Sequence, residues 1–426
     1  MGNERSRYVI VGNGIAGTTC AEQLRRHDPA CEIHLFADEP YPLYNRVALP
    51  PFLKGKVTEA RVILKTLAWH EQHAISLHLA TPVARIDLAE RTVRDRDGVV
   101  RRWDGLLLAT GGTPLPLAIP GARGCSNILN FQYLDDAKAL LAHAPPNRTV
   151  VVAGGSFISY ELAEAMSERS LHVIWVMRGP HFLRRVLHPD GGRLVEAIAR
   201  SYGVTLIYGQ EIARIEAADG LARGVVLTDG SRIPCDFVAT GIGLRLNTGL
   251  ATDCGLECRQ GIVVDGSMRT SAPDVYAAGD VAEFFDAWTG RHHALGTWNN
   301  AIGHGRIAAM NLLGQPTVYA EIPEYTTGMF DRKMMAFGIT PEHDSCLESV
   351  HFLDLADRTF RQLFFLDGRL VGGVLIGADL SRKFYKDIIR ARQVIPRREW
   401  EGLLHPPAPV RGGAAIELPV VPRSTR

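Results

Sequence analysis

A short apolar strand that breaks on a glycine-rich turn, enters a helix and returns as a second strand occurs twice in this chain. That recurrence constrains the fold more than any other feature. The first copy reads Tyr8-Val9-Ile10-Val11, then Gly12-Asn13-Gly14-Ile15-Ala16-Gly17, a helix over 14–24, and a strand Glu32-Ile33-His34-Leu35-Phe36. The second reads Thr149-Val150-Val151-Val152-Ala153, a Gly154-Gly155 turn, a helix over 160–166 and a strand over 172–176. The strand–turn–helix–strand spacing is the opening of a doubly wound parallel sheet. Two such openings about 140 residues apart are an internal duplication at the level of fold.

The segment after each copy also repeats. Strands over 77–83, 84–87 and 92–95, with Asp97-Gly98 as a turn, predict a small β-meander before Gly105-Leu106-Leu107-Leu108-Ala109-Thr110-Gly111. Segments 207–216 and 224–228, with Asp229-Gly230, predict the same layout before Asp236-Phe237-Val238-Ala239-Thr240-Gly241. From about residue 320 the pattern changes to strands such as Arg361–Phe365 and Gly373–Ile376 around an Asp367-Gly368 hairpin signal, then a helix over 380–392. Five prolines in the last 22 residues predict an extended tail over 405–426. The expected fold class is α/β, with two Rossmann-like dinucleotide-binding domains and a C-terminal α+β domain.

Composition removes several alternatives. With 47 basic against 46 acidic residues the net charge is +1, which gives no electrostatic case for nucleic acid or an anionic membrane as main partner. The polar opening runs at once into the first strand without a signal-peptide pattern, and no run of about 18 apolar residues predicts a membrane span. A cytoplasmic monomer or homodimer is expected. The seven cysteines are odd in number and scattered, against a disulfide framework. Cys254 and Cys258 have no second ligand pair nearby in sequence, and His292-His293 reads as a polar loop, so no metal site is expected.

In the first turn Gly12 permits the tight bend, Gly14 lets the backbone approach a diphosphate, and Gly17 lets helix and strand pack closely. The helix start offers free N–H groups and a positive dipole end to phosphate. Asp38 and Glu39 come after the second strand, where a carboxylate bonds ribose hydroxyls.

With these motifs the chain resembles the FAD-dependent pyridine nucleotide–disulfide oxidoreductase family. The similarity is greatest to its branch of rubredoxin reductases, ferredoxin reductases and nitrite reductase flavin modules. Ala109-Thr110-Gly111-Gly112-Thr113-Pro114 and Ala239-Thr240-Gly241-Ile242-Gly243 resemble the two crossings between FAD and nicotinamide domains. The segment 270–280, ending Ala277-Ala278-Gly279-Asp280, resembles the second FAD motif, whose aspartate holds the ribityl chain. The resemblance implies an FAD domain over 1–112 and 245–320, an NAD(P) domain over 113–244 and an interface domain over 321–404. It implies an FAD-binding set of Gly12, Asn13, Gly14, Ala16, Gly17, Asp38, Glu39, Arg46, Val83, Thr110, Gly111, Gly279 and Asp280. Trp298 and Asn299 begin a helix that, in the relatives, points its N-terminus at the flavin, where a dipole stabilises negative charge.

The second turn departs from the fingerprint. Gly154-Gly155-Ser156-Phe157-Ile158-Ser159 puts serines at the second and third glycine positions. After the next strand, where an acid would hold an NAD ribose, stands Met177-Arg178-Gly179-Pro180-His181-Phe182-Leu183-Arg184-Arg185. Arg178 and Arg184 resemble the arginine pair that NADPH-dependent relatives place around the 2′-phosphate, so NADPH is the expected donor over NADH; the alternative is a solvated basic face. The resemblance also implies nicotinamide contacts from Gly154, Ser156, Phe157, Ile158 and Gly241. Glu161 stands where a glutamate approaches nicotinamide and flavin, or else is an ordinary helix-surface carboxylate. Relatives pair that glutamate with a lysine; Leu49-Pro50-Pro51-Phe52-Leu53 has none, and Lys54 is displaced.

Residues 40–60 contain no cysteine, so a thiol relay lacks its nucleophile. The expected function is an NAD(P)H:acceptor oxidoreductase passing electrons from FAD to rubredoxin, ferredoxin or a separate reductase subunit, with Arg332 and Lys333 as basic candidates for meeting an acidic partner. Two other readings stay open. One is direct reduction of a quinone, nitro compound, metal ion or oxygen; the other is a nicotinamide-sensing flavoprotein that acts by interaction.

Overall fold

The computed structural model describes residues 5–378 and 380–406; from 407 on, the expected tail lies outside the described residues. The chain forms two compact units. One runs to Arg178 and resumes over Tyr202–Glu321, and the other joins Gly179–Ser201 to the chain from Ile322 onward.

The first unit holds two five-stranded sheets of parallel strands. In one, Arg7–Val11 is central, flanked by Glu32–Phe36 and then Ser76–His78 on one side, and by Gly105–Leu108 and then Val275–Ala277 on the other. In the other, Thr149–Ala153 is central, with His172–Met177 and Thr205–Tyr208 on one side and Phe237–Thr240 and Ile128–Leu129 on the other. Both central strands are continuous apolar runs because a parallel sheet is covered on both faces; Val9, Ile10, Val150, Val151 and Val152 are wholly buried. The helix Ile15–His27 turns Cys20, Ala21 and Leu24 to the core and ends on Arg25, Arg26 and His27, which complement its dipole. Against it lies Trp298–Leu312, at close range because Gly305 has no Cβ: one would stand 2.2 Å from the Ala16 carbonyl oxygen.

Each sheet is accompanied by a three-stranded antiparallel meander, Val83–Asp87, Thr92–Asp95 and Val100–Arg102 in one case, Ile212–Ala218, Leu221–Leu227 and Arg232–Pro234 in the other. Gly98 and Gly230 turn with φ of 86° and 85°, as the Asp-Gly pairs predict. The strand expected over 77–83 is divided. Ser76–His78 joins the parallel sheet, and the chain bends at Ala80, with φ of 48°, before Val83 opens the meander.

The second unit is built on an antiparallel sheet in the order Glu324–Met329, Arg332–Gly338, Arg369–Gly377, Thr359–Leu366, Glu348–Asp354. Asp367 and Gly368 both take positive φ, 49° and 74°, the demand of a two-residue hairpin. The helix Arg382–Ala391 is pinned to the first strand by buried Glu324, whose carboxylate meets Arg382 at 2.5 Å and Lys386 at 2.6 Å. The helix Pro189–Ser201 belongs to this unit as well.

Candidate functional site

The two glycine turns are equivalent atom for atom where the bend is made. The Gly12 amide donates to the Phe36 carbonyl at 2.9 Å and the Gly154 amide to the Val176 carbonyl at 3.0 Å. Gly12 has φ of 116° and Gly154 of 121°, values that penalise a side chain. A Cβ on Gly12 would lie 2.1 Å from the Ala109 oxygen, and one on Gly154 2.4 Å from the Gly241 oxygen. Both turns are therefore pressed against the crossing segment that leaves the neighbouring strand.

Beyond the bend they differ. At the first turn Gly17 lies against the Gly12 oxygen, where a Cβ would come within 2.0 Å, while a Cβ on Gly14 would meet nothing within 4 Å. Gly14 caps its helix with no side-chain hydrogen bond, and no acid occupies the first turn. This open, positively polarised helix end fits a diphosphate. Asn13 braces the loop, its Nδ2 donating to the Tyr41 carbonyl at 3.3 Å while its Oδ1 accepts from Thr18 at 2.9 Å.

At the second turn Ser156 caps the helix itself. Its Oγ accepts from the Ser159 amide at 3.3 Å and donates to the Gly241 carbonyl at 2.7 Å, while the Ser159 Oγ accepts from the Ser156 amide at 2.9 Å. Close contact at the third glycine position survives because the facing residue, Gly241, has no Cβ: one there would meet the Ser159 nitrogen at 2.5 Å. Phe157 and Ile158, in the first turn of the helix Phe157–Glu168, are half-buried.

Of the acidic pair, Asp38 is exposed. Glu39 is committed elsewhere, its oxygens accepting from Arg46 at 2.8 Å and from the Tyr44 hydroxyl at 2.7 Å. Arg46 also donates to the Gln132 carbonyl at 2.6 Å and lies over the rings of Tyr44 and Tyr133. Burial raises the Asp280 carboxyl above the ordinary range, and the Arg46 charge opposes that rise. Gly279, with φ of 78°, sets Asp280 beside the first helix, where a Cβ on Gly279 would lie 3.2 Å from that of Ala16. The Asp280 carboxyl is itself packed on Gly296, where a Cβ would stand 2.6 Å away. Val83 is buried at the start of its meander.

The crossings form one ribbon. Gly112–Pro114 pairs antiparallel with Leu244–Leu246, and Asn247 staples both, donating to the Thr110 carbonyl and accepting from Thr113 at 2.8 and 2.9 Å. Thr110 returns a bond from its Oγ1 to the Asn247 carbonyl at 2.8 Å; Gly111, with φ of 62°, turns between the two bonded segments. After the crossing, the helix Trp298–Leu312 is capped by Thr297, whose Oγ1 accepts from the Asn300 amide at 3.2 Å. Trp298 is half-buried and Asn299 exposed in its acid-free first turn. One turn deeper, burial between Phe284 and Tyr319 pushes His304 down to about 3, so the ring is neutral.

Glu161 is buried, at 7% exposure, rather than on the helix surface. Lys54 does find a carboxylate on that helix, but one turn further on: it pairs with buried Glu164 and reaches Glu168 at 3.4 Å. The lysine displaced in sequence is thus matched by a displaced glutamate, a pairing no local pattern signals. Arg178, exposed at the end of its strand, meets Glu211 at 3.2 Å, so an acid stands near this position after all, supplied by a later loop. Arg184, in the second unit, lays its aliphatic stem over Gly179. In the same unit Arg332 is tied to Asp331 at 3.1 Å, and Lys333 is exposed.

All seven cysteines are free. Burial pushes the thiols of Cys31 and Cys235 up to about 11 and about 12, and raises Cys20 and Cys254 as well, so these four stay protonated and poor nucleophiles.

Comparison with known proteins agrees with this architecture. The model of the family described as pyridine nucleotide-disulphide oxidoreductase matches residues 6–305. The chain is 33% identical, over 78% of its length and 80% of the relative's, to the biphenyl dioxygenase system ferredoxin–NAD(+) reductase component of Paraburkholderia xenovorans. It is 29% identical to the rubredoxin–NAD(+) reductase of Ectopseudomonas oleovorans over 80% and 89%. Among solved structures, the covalent putidaredoxin reductase–putidaredoxin complex superposes with a TM-score of 0.88 at 27% identity, covering 94% of this chain and 96% of that one. Among the described residues no helix is long and apolar enough to cross a membrane. A duplicated glycine turn, a shared crossing ribbon and these relatives lead to one assignment: the chain is a member of the pyridine nucleotide-disulphide oxidoreductase family, an oxidoreductase that works with FAD and a pyridine nucleotide.

Proposed function

We propose that this protein takes electrons from NADPH, in preference to NADH, and delivers them by way of FAD to a small iron–sulfur protein of the ferredoxin or rubredoxin kind. FAD, when bound, supplies the hydride chemistry, and the chain supplies orientation and electrostatics. On this reading the open helix end at Gly14, with Gly12, Asn13, Ala16 and Gly17, holds the flavin diphosphate, Asp38 a ribose and Asp280 the ribityl chain. Arg46 sits near the ring, with Glu39 fixing its guanidinium. Glu161, Phe157 and the Ser156 cap border the nicotinamide. The division into an FAD domain, an NAD(P) domain over 113–244 and a C-terminal domain is part of the same reading, as is a cytoplasmic setting, which the free cysteines support.

The observation that carries the proposal is the state of the sulfur. No cysteine lies in residues 40–60, and the buried thiols elsewhere are held protonated, so electrons have to leave without a disulfide. The Paraburkholderia and Ectopseudomonas relatives are reductases of ferredoxin and of rubredoxin. Mixing the holoprotein and NADPH with a ferredoxin, a rubredoxin, a quinone, a nitro compound and oxygen in turn tests it. Reduction of one iron–sulfur protein should exceed every small acceptor by about tenfold or more in kcat/KM. Faster turnover of a small molecule sinks the reading, and no turnover with any acceptor favours a sensor.

The donor preference rests on Arg178. Its pairing with Glu211 is exposed, and such pairs contribute only about 0–1 kcal/mol, whereas a charge-assisted bond to a 2′-phosphate contributes about 1.5–3 kcal/mol. NADPH should therefore exceed NADH in kcat/KM by about tenfold or more. Arg178→Ala should lose that advantage while leaving NADH turnover intact. Equal kcat/KM for the two donors in the unaltered protein overturns the preference.

A further inference from the structure

His188 and Asp190 flank Pro189, the first residue of the helix Pro189–Ser201. Proline is suited to a helix start, and an acid in the first turn is favoured by the dipole. His351 lies 161 residues beyond Asp190, on the edge strand Glu348–Asp354. Close seating of the helix on the sheet brings them together. Gly191 admits it, since a Cβ there would be 2.8 Å from the Phe360 ring. The buried Gln362, directly opposite His351 in the ladder, accepts from the His188 amide at 2.8 Å through its Oε1.

The result is a close cluster of three side chains that each carry a ligand atom. The two imidazoles are stacked with centroids 3.6 Å apart. Asp190 Oδ2 lies 3.2 Å from His351 Nε2, and Asp190 Oδ1 lies 3.8 Å from His188 Nδ1. One ligand atom from each of the three falls within 4.8 Å of the others. The Asp190 amide donates to His188 Nδ1 at 3.2 Å, so that nitrogen carries a lone pair and no proton, and an ion bound there would replace this hydrogen bond. Ligand bonds of about 2.0–2.2 Å put two donors of a tetrahedral ion about 3.4 Å apart. The His351–Asp190 pair at 3.2 Å is close to that separation, and side-chain rotation at this partly exposed surface would draw in the remaining atoms from their 4.8 Å bound. A nitrogen–oxygen set without sulfur suits the zinc class of divalent ions. All three side chains are about one-third exposed, which leaves water access for the remaining positions. Arg193, on Asp190 Oδ1 at 2.7 Å, orients the carboxylate and by its charge keeps binding weaker than in a fully anionic site.

We propose that His188, Asp190 and His351 bind one divalent transition cation of the zinc class, which clamps the start of the Pro189–Ser201 helix to the strand Glu348–Asp354. The site is independent of the acceptor and of the donor preference. The test is calorimetric titration of chelator-treated holoprotein with zinc, with cobalt as a spectroscopic probe. Expected are one zinc per chain at micromolar affinity, a rise in the unfolding temperature, and visible cobalt bands displaced by zinc. His351→Gln and His188→Ala should each weaken binding about tenfold or more with flavin content and NADPH turnover unchanged. Absence of saturable binding in the unaltered protein overturns the proposal. So does an isotherm that neither substitution alters, which would place the ion elsewhere.

Discussion

Gly12→Ala is expected to purify colourless and to remain so when FAD is supplied. The methyl group would stand 2.1 Å from the Ala109 oxygen and 2.6 Å from its carbon. Those are backbone atoms of the crossing, so no side-chain rotation relieves the contact. A φ of 116° adds a conformational penalty of about 1–2 kcal/mol. Relief requires moving the turn away from the crossing, and with it the open helix end at Gly14. Together these costs exceed about 3 kcal/mol, a loss of about a hundredfold or more in flavin affinity. Flavin content per chain, read by visible absorbance after purification, checks the result. A variant that keeps a full complement of flavin would show that the diphosphate does not rest on this turn.

Gly154→Ala should have the opposite phenotype, yellow but unreactive toward the donor. Its Cβ would be 2.4 Å from the Gly241 oxygen at a φ of 121°, the same conflict transferred to the other parallel sheet. The first turn and Asp280 are untouched, so the flavin stays. The second helix end, with its Ser156 cap, is driven from the crossing, and NADPH loses its seat. In rapid mixing, bleaching by NADPH at limiting donor should slow by about a hundredfold or more, while dithionite bleaches the same sample fully. A normal NADPH rate in this variant would remove the second turn from the donor site. The pair of substitutions thus separates the two nucleotide sites within one chain.

Much of this was legible in the sequence because the features are local. Both glycine turns, the Asp-Gly bends of the meanders and the hairpin at Asp367-Gly368 are each specified by neighbours along the chain, and they stand where expected, whereas the strands expected over 77–83 and 207–216 are each divided. Relations between distant segments could not be read. The shift of Lys54 is compensated by Glu164, more than a hundred residues away, and only the packing of the helix Phe157–Glu168 reveals it. Arg178 has no acid among its sequence neighbours, and Glu211 reaches it from a later loop. The Ser159 side chain at the third glycine position is accommodated by Gly241, a glycine whose sequence position marks the crossing and not the turn. The His188–Asp190–His351 cluster is hidden for the same reason, since its members come from a helix start and an edge strand.

The serine cap on the second turn carries a consequence for how the molecule is made and used. Ser156 and Ser159 cap that helix end from within the turn, so on the proposed reading its nucleotide comes and goes while the cap stays in place. The first helix has no side-chain cap at Gly14, and on the proposed reading the flavin diphosphate takes that place. The proposed reading then orders maturation: the flavin would be taken up once as a folding component, and the nicotinamide would visit an already assembled protein.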